Sequence, residues 1–364
     1  MSGTVPISIT GCGALSVLGH DVASHLEAIG GKPTRFRPLS EMAGAPTGFE
    51  GQHAGWIEPR SLLAHRKWSP LSAAAIHVAR EALASAAWTA EERRDTAIFF
   101  GTSRGALAGW SEDWPGRRPF RVMAASNSLS AEPAAAVGSE FGIEGPWQVQ
   151  SSGCCSGLDA LGMAKLWLDA GHSSRALVIS VDLPLTSAVL QAYADTGILS
   201  SKDQCEPLSA ESDGMIPSEG AAAICLEAHD VNQAAQLMSY QTSTESGDPL
   251  GGAAENPALV GLMAKAIHAH GTPELVVLHA SGTRAQFSTE PASVRSATAD
   301  PFPMLPMKQW TGHTVGASGL LESALITAPA PHRPLADYSP RNIVFKIASS
   351  MGGKHSLVAL RLPS

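Results

Sequence analysis

Residues 148–168 read QVQSSGCCSGLDALGMAKLWL. A short extended run meets a turn of small residues (151–157) and then a stretch with the composition of a helix, expected to pack through Leu158, Leu161, Met163 and Leu166. Two adjacent cysteines, Cys154 and Cys155, fall where the strand gives way to the helix. A thiol there faces unpaired backbone N–H groups and the positive end of the helix dipole, both of which favour a thiolate. Its neighbours Ser152, Gly153, Ser156 and Gly157 are small enough for another backbone or a ligand to come close. A strand–turn–helix unit of this kind is a building block of layered α/β folds.

The same alternation extends outward along the chain. Aliphatic or β-branched runs predict strands over 6–10, 96–101, 176–181, 221–226, 275–279, 342–348 and 356–362. Ala-rich periodic stretches predict helices over 22–29, 72–86, 131–141, 157–171, 257–270 and 319–328. Polar joints rich in Gly and Pro fall at 44–58, 110–118, 245–256 and 329–341. The two parts of the chain run strands and helices in a similar alternation, which predicts two similar halves, 1–235 carrying the cysteine turn and 236–364.

Composition narrows the function. The chain has 364 residues, 44% of them apolar and only 16% charged, so most of it is expected to fold and bury. Its formal charge of −8 gives no net positive field for nucleic acid. No apolar run approaches the ~18 residues that span a bilayer, and residues 1–10 lack the pattern of a signal peptide. Five cysteines without a CxxC spacing, and thirteen histidines without an HxxxH or HExxH pair, predict neither a disulfide framework nor a metal site. Gly11-x-Gly13 follows a strand, but Ser16 stands where a dinucleotide fingerprint needs its third glycine. These readings place the protein in the cytoplasm.

The cysteine turn is open to two chemistries. Gly153-x-Cys155-x-Gly157 matches a nucleophile elbow, making Cys155 the nucleophile of an α/β-hydrolase. Alternatively, Cys154 attacks a thioester and holds an acyl group during carbon–carbon bond formation. Three later segments favour the second. LVVLHASGTRAQFSTE (275–290) delivers His279 from a buried strand into a Gly/Thr turn. KQWTGHTVGASGLLE (308–322) frames His313 with glycines, five residues after Lys308, and IASSMGGKH (347–355) is a strand broken by a Gly–Gly turn. A hydrolase needs one acid and one histidine after its nucleophile; here there are two well-framed histidines.

With these segments in order, the sequence resembles the β-ketoacyl-(acyl-carrier-protein) synthases, condensing enzymes of the thiolase fold. ISITGCGALSVLGHDV (7–22) is similar to the family's opening strand and SSGCCSGLDALG (151–162) to its nucleophile motif. Residues 206–227 resemble the stretch ending Asp-Gly-x-x-x-x-Glu-Gly-Ala, HASGT (279–283) the His-Gly-Thr-x-Thr motif, and 308–322 the Lys-x-x-x-Gly-His motif. SSMGG (349–353) sits where the family has Phe-Gly-Phe-Gly-Gly. The resemblance implies five layers, α-β-α-β-α, and a Cys–His–His site of Cys154, His279 and His313, supported by Lys308 and its ion partner Glu322. It implies an oxyanion hole from the backbone N–H groups of Cys154 and Met351, with Ser281, Thr283, Gly352 and Gly353 contacting substrate. It also implies decarboxylative condensation of an acyl thioester with a malonyl unit carried on the phosphopantetheine of an acyl carrier protein, without metal or redox cofactor. Arg66 and Lys67 are basic positions for docking that acidic carrier, as are Arg117, Arg118 and Arg121. A homodimer, or a heterodimer with a related ketosynthase subunit, is expected, and a non-catalytic chain-length subunit is the remaining alternative.

The chain departs from the pattern in places. Gln286-Phe287 replaces Gly-Asp, Ser218 replaces the first Gly of Gly-Glu-Gly, and Ser349-Ser350-Met351 replaces the aromatic gate. Met351 exchanges a rigid ring for a flexible thioether, which reshapes an acyl pocket and points to specialised rather than housekeeping metabolism.

Overall fold

The computed structural model describes residues 5–107, 130–247, 256–328, 338, 340 and 342–363. The joint expected at 110–118, most of those at 245–256 and 329–341, and Arg117, Arg118 and Arg121 lie outside the described residues. Ten strands form one sheet: β1 (Ser8–Ser16), β2 (Ala97–Gly101), β3 (Trp147–Gln150), β4 (Arg175–Asp182), β5 (Gly220–Glu227), β6 (Ala235–Thr244), β7 (Leu275–Val277), β8 (Met304–Leu305), β9 (Ile343–Ser350) and β10 (Lys354–Arg361). Their spatial order is β8-β7-β9-β10-β6-β1-β5-β4-β2-β3.

The first five strands and the last five are the same sheet drawn twice. In each, the third, second and fourth strands run parallel, the fifth is antiparallel to the fourth, and the first is antiparallel to the fifth. The halves join where Ser8 and Ile9 pair with Gln236 and Ala235.

Eight helices of eight or more residues are seen among the described residues: α1 (Val22–Ile29), α2 (Pro70–Ala86), α3 (Glu132–Phe141), α4 (Ser156–Asp169), α5 (Ser187–Asp195), α6 (Pro257–His270), α7 (Thr289–Ser296) and α8 (Ser318–Thr327). Helices α2 and α3 cover the outer face of the first half, with Leu83 and Val137 in one core with Ile98 and Ile179. On the far side, α6 packs on β6 and β10, and Leu262 and Met263 share a core with Phe345. Between them lie α4 and α8, which share a core with strands of both halves through Leu158, Leu161, Leu320 and Leu321. All ten residues of α8 are buried. The layers therefore run α-β-α-β-α. No helix among the described residues is long and apolar enough to cross a membrane.

Sequence signals explain these elements locally. Ser69 caps α2 by accepting from Ser72 N–H, and Pro70 opens the helix where no amide donor is needed. Gly11 and Gly13 serve packing: a Cβ at either would lie 2.1 Å from a carbonyl oxygen of α2, that of Ala82 or Val78. One expectation fails. Leu158, Leu161 and Leu168 face the core, but Met163 and Leu166 are 39% and 49% exposed, because their positions on α4 turn them away from that seam.

Candidate active site

The nucleophile turn comes from the first half. After β3, residues Gly153–Cys155 make a single 3-10 turn that leads into α4. Gly153 has φ +61, and a Cβ there would lie 2.2 Å from Ser350 Oγ, so glycine answers both demands. The Ser156 hydroxyl ties the turn by donating to Gly153 O (2.6 Å) and accepting from Ser152 N (2.9 Å). Cys155 points away: it is fully buried, its Sγ donating to Lys354 O at 3.7 Å, and burial pushes its thiol up. That removes it as a hydrolase nucleophile.

The second half delivers both histidines. After β8, a turn at Lys308–Thr311 leads through His313 and a 3-10 turn, Val315–Ala317, into α8. His313 is fixed by backbone bonds on each side, donating from N to Ile216 O (2.8 Å) and accepting at O from Ser218 N (3.1 Å). Its Nε2 lies 3.4 Å from Cys154 Sγ and its Nδ1 3.3 Å from Ser318 Oγ. His279 follows β7, where Glu290 accepts from the N–H groups of His279 and Ala280, each at 2.7 Å. The two imidazoles stand edge to face with centroids 5.2 Å apart. The sulfur and one nitrogen of each ring fall within 4.8 Å of one another, a donor set that a soft divalent ion could also take.

Behind the histidines lies a charge cluster with almost no solvent contact. Glu322 accepts from Lys308 Nζ at 2.8 Å and faces Lys346 Nζ at 2.8 Å. Lys346 also donates to Leu278 O (3.0 Å). Burial, and then the Lys308 charge, hold both His279 and His313 well below the usual imidazole range. Burial pushes the Cys154 thiol up to about 11, against the opposing pull of Lys308 and Arg104. Burial therefore favours the neutral form of all three groups, a thiol beside two imidazoles. The sequence argument for a thiolate is corrected here: Cys154 sits in a turn ahead of α4, its surroundings are enclosed, and Glu322 offsets the Lys308 charge.

Asp182 couples the two halves around the sulfur. It accepts from Thr102 Oγ1, Ser103 N and Arg104 N in the loop after β2, and from Gly316 N at 2.7 Å in the His313 turn. Burial raises its carboxyl to about 6.

The other residues named from sequence are placed as follows. The Cys154 N–H donates to Ser350 Oγ at 3.2 Å, while the Met351 side chain is 56% exposed. Of the two oxyanion donors expected, one is thus already bonded within the protein. Gly352 and Gly353 turn the β9–β10 hairpin at φ +92 and +73. Ser281 is buried and bonded to Gln286 Oε1 (2.6 Å) and Thr283 Oγ1 (3.0 Å), so these hydroxyls face each other. Arg66 and Lys67 are exposed, with Lys67 Nζ 4.3 Å above the Trp68 ring. Sequence reasoning missed Lys346, Glu290, Asp182 and the Ser350 contact. Only Lys346 left a signal, a lysine inside the apolar run Val344–Ile347.

Residues 4–232 match the family model described as the N-terminal domain of beta-ketoacyl synthase. Among curated proteins, the chain is 29% identical over 295 residues to the putative polyketide beta-ketoacyl synthase 1 of Streptomyces cyaneus, covering 70% of this chain and 69% of the relative. Among solved structures, it aligns with a type II polyketide acyl carrier protein complex with its ketosynthase bound to the hexaketide, at TM-score 0.80 and 19% identity, over 99% of this chain and 100% of the other. It also aligns with the ketosynthase ApeO in complex with its chain length factor ApeC from Xenorhabdus doucetiae, at TM-score 0.77 and 18% identity, over 100% and 99%. At these identities the solved structures bear on the fold alone.

Proposed function

The chain belongs to the β-ketoacyl synthase family, and on that premise we propose that it is a condensing enzyme of polyketide or fatty-acid type, joining an acyl thioester to a malonyl unit with loss of CO₂. The observation that carries this reading is the 3.4 Å contact of Cys154 Sγ with His313 Nε2, with His279 beside it. With Nδ1–H donating to Ser318 Oγ, Nε2 is free to accept the thiol proton as sulfur attacks the acyl carbonyl. The pantetheine sulfur leaves carrying a proton, and Cys154 holds the acyl group as a thioester. When a malonyl thioester follows, its carboxylate departs as CO₂. The enolate left behind is stabilised at its oxygen by a hydrogen bond from His279, and by one from His313 Nε2–H in the other tautomer, in which Nδ1 accepts from the Ser318 hydroxyl. Its carbon attacks the acyl group, and the released Cys154 sulfur takes up a proton. This chemistry calls for no metal or redox cofactor.

The proposed substrates are carried by an acyl carrier protein, docked at the basic Arg66 and Lys67. Ketosynthases of this fold occur in complex with such a carrier or with a chain length factor. A second copy or a related subunit would pair along β3, an edge strand whose Trp147 is 48% exposed and which packs against α4, the helix of the exposed Met163 and Leu166. All five cysteines are free thiols, which suits a cytoplasmic setting.

Intact-protein mass measurement with an acyl thioester or a cerulenin-like electrophile tests the reading. The adduct should map to Cys154. An adduct on Cys155, or none, overturns it.

A further inference from the structure

The Cys154 amide donates to a hydroxyl oxygen supplied from the other half of the molecule. Ser350 ends β9, two residues before the Gly–Gly turn, and its Oγ accepts from Cys154 N at 3.2 Å. The fit is close: the position of a Cβ on Gly153 lies 2.2 Å from that oxygen, so only a glycine admits it. In the motif that this hairpin resembles, the residue in place of Ser350 is glycine, which has no oxygen to offer.

When the sulfur attacks a carbonyl, negative charge develops on the carbonyl oxygen, within reach of the nucleophile's own amide N–H because sulfur and amide belong to one residue. An acceptor already seated there competes with the incoming carbonyl oxygen. We propose that Ser350 is an internal occupant of the oxyanion hole, a positioning residue that must turn about χ1 and release the Cys154 N–H before an acyl thioester can be captured. This rests on the condensing-enzyme reading above. A neutral carbonyl offers the amide little more than the serine hydroxyl does, whereas the anionic tetrahedral oxygen offers a charge-assisted bond. The hydroxyl therefore slows entry and capture, gives way in the transition state, and returns once the acyl group has left. Among the described residues no side-chain oxygen is bonded to the Met351 N–H, so the handicap falls on one donor of the expected pair.

The test compares wild-type protein with Ser350→Ala and Ser350→Gly, using hexanoyl-N-acetylcysteamine as acyl donor and iodoacetamide as alkylator. Alkylation is displacement at a saturated carbon and develops no oxyanion. Removing the hydroxyl should raise the second-order rate of Cys154 acylation about three- to tenfold in both variants, the worth of one hydrogen bond. The iodoacetamide rate should stay within about twofold, since net bond differences below this scale are ordinary for a neighbouring substitution. Equal acceleration of both reactions means the serine merely crowds the thiol and overturns the proposal, as does an unchanged or lower acylation rate. Acylation of Cys154 in the wild type with no gain in the variants sinks this inference while leaving the condensing-enzyme reading intact. No acylation of Cys154 in any of the three proteins, with Cys154 still alkylated, overturns both.

Discussion

Cys154 and His313 occupy the same place in the two halves of the molecule. Each lies between the third strand of its half-sheet and the central helix that follows, α4 for the cysteine and α8 for the histidine, and their side chains meet at 3.4 Å. Two copies of one loop thus face each other across the central layer, one carrying the proposed nucleophile and the other the proposed proton acceptor. The site exists only when both halves are folded and docked.

Separating those roles gives the first prediction. Cys154→Ala should form no acyl adduct by intact mass. His313→Ala should slow CO₂ release from a malonyl thioester by about 10²-fold or more, the usual worth of a positioned proton-transfer or hydrogen-bonding group. Undiminished CO₂ release in that variant would remove His313 from the chemistry.

Glu322 sits between two buried ammonium groups, so the partners are not equivalent. Glu322→Gln leaves both lysines without it and should cost about 3–5 kcal/mol in urea unfolding, the penalty of an uncompensated buried charge. Lys346→Met keeps the Lys308–Glu322 pair and should cost about 1–3 kcal/mol, mostly from its lost hydrogen bonds. It should also let His279 titrate at higher pH by NMR, because Lys346 is one of the charges that depress it. Equal costs for the two variants would contradict this division.

Much of this arrangement was legible in the sequence, for a physical reason. Residues that bear chemistry sit in turns of small residues, and turns have strong local signatures, as around Cys154, His279 and His313. Elements stabilised by tertiary contacts do not. Strand β6, AQLMSYQTST, is mostly half-buried and polar, and β8 is two residues long, so neither stood out. Helices α5 and α7 were likewise not expected. The exposed Met163 and Leu166 show that an apolar residue on a helix does not reveal which surface it serves. The Ser350–Cys154 bond joins residues 196 apart, and no local pattern encodes it.

Gly13 offers a test of why β1 carries glycines. A methyl group there would press on Val78 O, a backbone atom of α2 that cannot rotate away. Gly13→Ala should therefore destabilise the protein by about 1–3 kcal/mol through overpacking, with a larger loss for Gly13→Val. No change in the urea midpoint would mean that α2 can shift outward without cost.

Carrier docking is tested by reversing charge at Arg66 and Lys67, both exposed. The double substitution to Glu should raise the KM for a carrier-bound acyl group several-fold and leave a small thioester unaffected, since electrostatic complementarity acts on the encounter. The effect should fade above about 0.5 M salt, where the screening length falls to a few ångströms. Equal effects on both substrates would place the two residues outside a docking surface.

Buried histidines set the pH dependence of stability. Burial lowers His25 and His355 to about 4, and both rings are bonded at each nitrogen, His25 to Asp21 O and Ser16 Oγ, His355 to Ser349 Oγ and Asn256 Nδ2. The unfolded chain binds their protons near pH 6.5, so between pH 6.5 and 4 the unfolded state holds more protons and stability falls as the solution is acidified. Each ring accounts for up to about 3 kcal/mol by the bottom of that window, and His279 and His313 act in the same direction. Asp182, raised to about 6, works the other way, its contribution fading as pH rises through the same range, as do Glu81 and Glu290, which burial also raises; three carboxyls thus stand against five imidazoles, His270 being lowered by burial too. The urea midpoint should thus drop between pH 7.5 and pH 5, and His355→Gln should flatten that slope by removing one titrating ring. A midpoint that is equal or higher at pH 5 would show that the raised carboxyls, not the histidines, govern the acid limb.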